Sequence, residues 1–280
     1  MSSLGIDKLG SDQPSNDQLA NDQLLEQLSV SSRAAISDVW VLDSVDSTNN
    51  YLLQQAKKKM VGFQVCLADM QHAGRGRRGK NWFSPPGASL YLSVSTRLNS
   101  SLNDLSGLGL MAAVVVAQVL KGLGVSRVGI KWPNDIFFEN KKLGGILVDA
   151  SSGTNGSSFV VIGLGLNINL PAGAENAIDQ PWQDLKHVLG EQVPERNVLA
   201  GLCAEALMSG LKNYEQKGLK AFSRQFEALD IIKNAAVKVC LEHESFEGVA
   251  VGVNALGMLL VESQQGLREL HSGDVSIKRR

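Results

Sequence analysis

Residues 74–87 read GRGRRGKNWFSPPG, a stretch that no helix traverses easily, because paired prolines remove backbone donors and the glycines leave the backbone loose. It must be a loop, and it fixes its flanks. FQVCLAD at 63–69 runs into it as a strand. SLYLSVSTR at 89–97 leaves it as another, alternating apolar and polar residues as a half-buried strand does. Four of the six residues from Arg75 to Lys80 are cationic, in a chain whose formal net charge is only -1. Such a cluster can hold nucleic acid, hold a small phosphorylated ligand, or be a solvated loop with no further role.

The remaining pattern alternates strands and helices. VWVLDSV at 39–45 predicts a strand. A helix follows, with Ser47 or Thr48 as N-cap and Lys57 to Lys59 in its last turn. Leu102 to Leu123 predicts a helix ended by Gly124. VGIKW, KLGGILVDA and SFVVIGLGLNI predict three more strands, and Asn197 to Lys217 an amphipathic helix. After Ile232 the texture changes to short strands at near-regular spacing with glycine-containing turns, the pattern of a small β-barrel. Residues 1–33 repeat NDQL, carry no aromatic residue, and predict disorder with at most a short helix near Leu24 to Leu28. The expected division is therefore a polar N-terminal segment at 1–33, a catalytic domain at 34–232 and a barrel at 233–280. The expected class is α/β of the α+β type, with a mixed, mostly antiparallel sheet packed with helices.

At 280 residues, one large domain plus a small one is the natural expectation. A sequence pI near 6.4 argues against general nucleic-acid affinity, which normally shows as a strongly basic face. Cys66, Cys203 and Cys240 are odd in number and far apart, and suit a reducing compartment. The four histidines are equally scattered and give no metal-ligand spacing. No basic segment followed by an apolar run marks a secretory signal, and MAAVVVAQVL at 111–120 is too short to cross a bilayer. A cytoplasmic setting is expected.

Two nucleotide motifs fail on context. GLGLN at 163–167 lacks the third glycine of a dinucleotide fingerprint, and NINLP follows where a helix should open. GRGRRGK lacks the Ser or Thr and the helix of a P-loop. The physics of the loop still points to an anion: glycines let backbone N–H groups turn inward, and arginine adds a fixed fork of donors. Trp82 and Phe83 leave single-stranded nucleic acid as the weaker alternative. A second cluster, KWPNDIFFENKKLGGILVDA at 131–150, brings Lys131, Asn134, Asp135, Lys142 and Gly145. Its bland reading is a hairpin whose FENKK turn is merely exposed. A third, DSTNN at 46–50, caps a helix and can contact a ligand with the same side chains.

Taken together, these clusters resemble the biotin protein ligase family. The resemblance rests on DSTN at 46–49, Q-x-x-GRGRRG-x-x-W-x-S-P-x-G across 71–87, KWPND at 131–135, KLGGIL at 142–147 and G-x-G-x-N at 163–167, in that order. It implies formation of biotinyl-5′-AMP from biotin and ATP with magnesium, then transfer of biotin to a lysine of a biotin carboxyl carrier protein such as that of acetyl-CoA carboxylase. Two anions must meet in that chemistry. Unit charges about 4 Å apart interact by about 4 kcal/mol at an effective dielectric of 20, so fixed cations matter.

Carried over residue by residue, Arg75, Arg77, Lys142 and Asp135 are the catalytic candidates. Ser47, Thr48, Asn49, Gln71 and Gly145 would hold the ureido ring and tail of biotin, with Gly76 in the anion-binding loop. Lys142 would touch the biotin carboxylate or the α-phosphate, and Asn167 the nucleotide side. Trp182 would stack on adenine or cover biotin's neighbour, or is an ordinary packed tryptophan. Asn134 and Asp135 would orient magnesium or the incoming lysine; no dedicated metal-ligand set is assigned. Gly144 stands where the family's KLAGIL version has alanine, and Asp149 where it has glutamate. The short polar N-terminus implies a form without a DNA-binding domain, without membrane association, and with a homodimer left open. A lipoate or octanoyl ligase or transferase is the nearest alternative.

Overall fold

The computed structural model describes residues 18–55, 61–153, 155–241, 244–271 and, for the backbone alone, 274–277. Lys57 to Lys59 and His243 lie outside the described residues. In chain order the elements are α1 (Asn21–Glu26), α2 (Val30–Ala35), β1 (Ile36–Val45), α3 (Thr48–Gln55), β2 (Phe63–Gln71), β3 (Ser89–Leu98), α4 (Leu108–Gly122), β4 (Val128–Lys131), β5 (Asp135–Phe138), β6 (Lys141–Ser152) and β7 (Ser158–Asn167). They continue as α5 (Leu185–Leu189), α6 (Arg196–Lys217), α7 (Ser223–Leu229), β8 (Ala236–Cys240), β9 (Ser245–Val253), β10 (Leu259–Ser263), β11 (Gly266–Leu270) and β12 (Asp274–Ile277).

A seven-stranded sheet runs in the order β1-β2-β3-β7-β6-β5-β4. Only its β1–β2 pair is parallel, the other ladders being antiparallel. This is the mixed, mostly antiparallel sheet expected. The C-terminal strands form a five-stranded sheet in the order β11-β10-β9-β8-β12, with antiparallel pairing throughout.

One face of the large sheet buries Val65, Leu67, Leu90, Leu92, Val94, Ile162 and Leu164 under α4 and α6, in one continuous apolar core. Helix α4 is apolar nearly all round and sits inside that core, with Leu108, Met111, Val114 and Leu120 buried. The predicted helix from Leu102 is interrupted. Leu102–Leu105 is a 3-10 turn, and α4 restarts after Gly107 and stops before Gly124, whose φ of 95° suits glycine. The opposite face is covered at one end by α3, which buries Leu52 against Cys66, Phe159 and Val161.

Residues 18–35 correct the expectation of a disordered segment. They form α1 and α2, and Leu24 and Leu28 are buried. The anchor is α6. Asn197 accepts from the Ala20 N–H at 2.9 Å and donates to the Gln18 carbonyl at 2.8 Å, while Glu205 accepts from Ser32 Oγ at 2.9 Å. Gly201 lets the two helices touch, because a Cβ there would lie 2.4 Å from Gln27 Cβ. The local composition is too poor in apolar residues to show any of this, since the partner surface lies far along the chain.

β3 departs from expectation too. Its alternation suggested one solvated face, yet Ser89, Ser93 and Ser95 are as buried as the leucines between them. The polar face of β3 is an interior surface.

Candidate active site

Register places the site. Asp135 pairs with Gly145, Gly145 with Gly165, and Gly165 with Tyr91, one row across four strands. The next row joins Leu147, Gly163 and Ser93. Residues in a row share a face, so Gly145, Gly163 and Gly165 leave a shallow trough on the side that α3 covers.

The trough is lined by a hydrogen-bonded polar belt. Ser47, Thr48 and Asn49 open α3 and are buried. The Thr48 N–H, an end group with no partner inside its own helix, donates to Gln71 Oε1 at 2.9 Å, and Thr48 Oγ1 to the same oxygen at 3.2 Å. Gln71 Nε2 donates to Ser84 Oγ at 3.1 Å, and Ser84 Oγ to the Trp82 carbonyl at 2.9 Å. Ser93 Oγ lies 2.7 Å from Thr48 Oγ1 and 2.6 Å from Asn49 Oδ1. Asn49 Nδ2 donates to Asp149 Oδ2 at 2.8 Å. The glycines of GLGLN serve this belt: a Cβ at Gly163 would lie 2.2 Å from Asn49 Oδ1, and one at Gly165 2.5 Å from the Trp82 ring. Both glycines thus permit close side-chain approach.

The loop after β2 closes over one end. Gly76 N–H donates to the Lys80 carbonyl at 2.7 Å, and Trp82 N–H to that of Gly74 at 2.9 Å. Arg78 and Gly79 have φ values of 55° and 74°, so the backbone turns left-handed at the tip. Beneath the loop is a cavity of about 320 Å³ lined by Arg75, Arg77, Lys80, Leu147 and Asp149 among others. A smaller one, about 60 Å³, is lined by Trp82, Phe83, Lys142, Asn167, Ile178 and Trp182 among others. Asn81 borders both cavities.

Three cations reach this region. Lys142 Nζ is 2.8 Å from Asp135 Oδ1 and 5.3 Å from the Trp82 ring centroid. Arg77 Nη1 donates to Asn134 Oδ1 at 3.2 Å, and Asn134 in turn donates to the Ile146 carbonyl. Arg75 donates from Nη1 to Asn50 Oδ1 at 2.7 Å and from Nη2 to Asp149 Oδ1 at 3.2 Å. Lys142 is no exposed turn residue: it sits in β6 with its side chain 15% exposed, while Lys141 faces solvent. The Lys131 ammonium lies over the Phe137 ring. Trp82 Nε1 is buried and among the described residues has no hydrogen-bond partner, a donor in the site with nothing to donate to.

Residues 41–167 match the model of the Biotin/lipoate A/B protein ligase family, and residues 234–278 that of the Biotin protein ligase C terminal domain. The Bifunctional ligase/repressor BirA of Escherichia coli is 37% identical over 240 residues, covering 86% of this chain and 74% of that protein. The chain belongs to the biotin protein ligase family. Other members are similar over most of their length. The biotin--[acetyl-CoA-carboxylase] ligase of Mycobacterium tuberculosis is 27% identical, with 84% of this chain and 87% of that protein covered. The biotin protein ligase of Aquifex aeolicus in complex with biotin and ATP superposes with a TM-score of 0.69 at 27% identity, covering 87% of this chain and 100% of that one.

Within the family's fold, the predicted site residues fall into four groups. Ser47, Thr48, Asn49 and Gln71 meet in the belt, and Gly145 and Lys142 stand next to Asp135. Arg75, Gly76 and Arg77 line the larger cavity, whereas Asn167 and Trp182 line the smaller one. Asn167 Nδ2 already donates to the Gln183 carbonyl at 3.0 Å. Trp182 packs with Phe83 and Ile178 against Ala88, Leu170 and Ala174, so it is a packed tryptophan that also borders the cavity. Ser93, Asn50 and Asp149 were missed. Serines at alternate positions of a strand that follows a cationic loop were the available signal for Ser93; Asp149 was noted only as standing where the family has glutamate, with no role assigned.

Proposed function

We infer that this chain joins biotin to AMP at the expense of ATP and then passes the biotinyl group to a lysine of a carboxyl carrier protein. The belt is the observation that carries the reading. A ureido ring offers two N–H donors and one carbonyl acceptor, and Thr48, Asn49, Gln71 and Ser93 supply complementary groups in a buried trough. Lipoate's dithiolane has neither N–H donors nor a carbonyl and could use none of these groups, which disfavours the lipoate or octanoyl alternative. With the ring at the belt, the valeryl chain runs past Gly145 and Gly165 toward Lys142. There a carboxylate oxygen attacks the α-phosphorus and pyrophosphate leaves. Lys142 neutralises charge building on the phosphoryl oxygens, and Arg75, Arg77 and the loop N–H groups hold the mixed anhydride and exclude water from it. The carrier lysine's Nζ then attacks the acyl carbon and AMP leaves.

Magnesium fits this site as an ion brought in on the nucleotide. Among the described residues no group of three or more His, Cys, Asp or Glu is placed to hold a metal, and Asp135 and Asp149 already pair with cations. When present it would shield the triphosphate. Asp135 and Asn134 act here by fixing Lys142 and Arg77.

The reading includes a cytoplasmic setting, the carrier of acetyl-CoA carboxylase as partner, no DNA or membrane binding, and a homodimer as the candidate assembly. Near-neutral net charge supports the absence of nucleic-acid binding. Footprinting at saturating biotin and ATP and gel filtration test these points. Pyrophosphate exchange with biotin, lipoate and octanoate tests the chemistry: exchange supported by biotin alone is the expected result, and exchange with lipoate but not biotin would overturn it.

A further inference from the structure

We propose that Asp149 is a positioning residue that ties the biotin-side belt to the glycine-rich loop, accepting from Arg75 with both carboxylate oxygens and from Asn49 with one of them. This rests on the function inferred above. Asp149 Oδ2 accepts from Asn49 Nδ2 at 2.8 Å and from Arg75 Nη1 at 3.3 Å, while Asp149 Oδ1 accepts from Arg75 Nη2 at 3.2 Å. Asn50, next to Asn49 on α3, accepts from the same guanidinium at 2.7 Å, and Asp46 in turn accepts from Asn50 Nδ2 at 2.8 Å. Asp149 also lines the cavity under the loop. The carboxylate therefore has three N–H groups to satisfy, drawn from α3 and the loop, which also meet directly where Arg75 donates to Asn50. An ionised Asp can accept all three; an Asn of the same shape has one acceptor oxygen, and its NH₂ must face a donor on one side or the other.

Two consequences follow for the reaction. With no ligand present, Asp149 supplies the negative charge that keeps Arg75 folded over the cavity. When an anionic ligand enters, its oxygens take over that guanidinium, so loop position and occupancy of the trough become linked through one carboxylate. Asn49 feels the same event, because its amide is oriented by Asp149 on one side and contacts Ser93 on the other.

The test is limited trypsin digestion of the ligand-free full chain, which should cut after Arg75, Arg77, Arg78 or Lys80 faster as the loop loosens. Asp149→Asn should raise the rate of loop cleavage roughly five-fold, the scale of losing a partly exposed ion pair. Asp149→Glu, which keeps the charge, should restore most of the protection. Arg75→Gln should raise cleavage at Arg77 by a similar factor, and the double variant no further, since both changes remove one shared contact. In pyrophosphate exchange, Asp149→Asn should raise the KM for biotin several-fold with kcat within a factor of about two, as Lys142 is untouched. Unaltered cleavage in Asp149→Asn, additive rates in the double variant, or a fall in kcat at constant KM would each overturn the proposal. Digestion of the empty chain needs no turnover. A chain that fails to exchange pyrophosphate with biotin therefore refutes the function, whereas unchanged digestion refutes the tie.

Discussion

Lys142 and Arg75 both bring positive charge to the pocket, yet the chain holds them by different means. Lys142 stands in β6. Its N–H donates to the Pro181 carbonyl, its carbonyl accepts from Gln183, and its ammonium pairs with Asp135 on the adjacent strand. Arg75 stands on a loop whose backbone pairs mainly with itself, and its guanidinium, 39% exposed on the side chain, rests on Asp149 and Asn50. A cation built into a sheet costs no reorganisation at the moment of reaction, which suits stabilising charge in a transition state. A cation on a loop can leave and return, which suits admitting substrate and retaining a reactive intermediate. In the proposed mechanism the site would use a fixed charge for chemistry and a loop-borne one for access.

The largest expected effect breaks the fixed side. Lys142→Ala should lower the rate of biotin-dependent pyrophosphate exchange by ~10²–10³, on the scale of losing an oxyanion-hole donor. It also leaves Asp135 without its partner, so thermal denaturation should register a loss of about 1–2 kcal/mol, more than for the exposed Lys141→Ala at the start of the same strand. An equal effect of the two lysines on exchange would erase the distinction drawn here.

Gly165→Ala attacks the junction between the two regions. The added methyl would meet the Trp82 ring at 2.5 Å, so the ring and the end of the loop must shift. A destabilisation of about 1–3 kcal/mol by thermal melts, with weakened biotin binding by calorimetry, is expected. Gly87→Ala, where no atom lies near the new methyl but φ is 68°, isolates backbone strain from crowding and should leave biotin binding intact.

On the movable side, Arg77→Gly should keep adenylate formation within about ten-fold of the parent while releasing biotinyl-5′-AMP early, because one charge-assisted contact to Asn134 is lost and the ordering of each loop residue opposes closure by about 1–2 kcal/mol. Chromatography of free adenylate, and label on a bystander protein against label on a carrier domain, read this directly. A selective, non-leaking variant would show that the loop does not retain the intermediate.

Arg78→Gly is the smallest change. Arg78 is exposed and sits at a φ of 55°, so glycine should relieve about 1 kcal/mol of backbone cost or less, with exchange unaltered. A large loss of exchange would move the working arginine from Arg75 or Arg77 to the loop tip.

Much of this site was legible from spacing. The loop at 74–87, the Lys142 strand and the DSTN helix start all lie where the pattern put them, because prolines, glycines and caps act over a few residues. The belt was not legible as a belt. Thr48, Gln71 and Ser93 come from three elements, and each residue taken alone has a bland local reading.

The sequence by itself determined most of the strands and the long helices α4 and α6, where α4 must stop at Gly124, and that glycine and arginine gather in one loop. Local sterics and side-chain period suffice for that. Tertiary structure alone decided what covers each face. α3 lies over Ser93, so serines that look solvent-facing become a pocket floor, and α6 lies under Leu24 and Leu28, so a polar N-terminal stretch becomes two packed helices. It also decided that the glycines at 163 and 165 admit Asn49 and Trp82. A two-residue period tells a strand that it has two faces; what lies over each depends on contacts between residues far apart in sequence, and those exist only once the chain has folded.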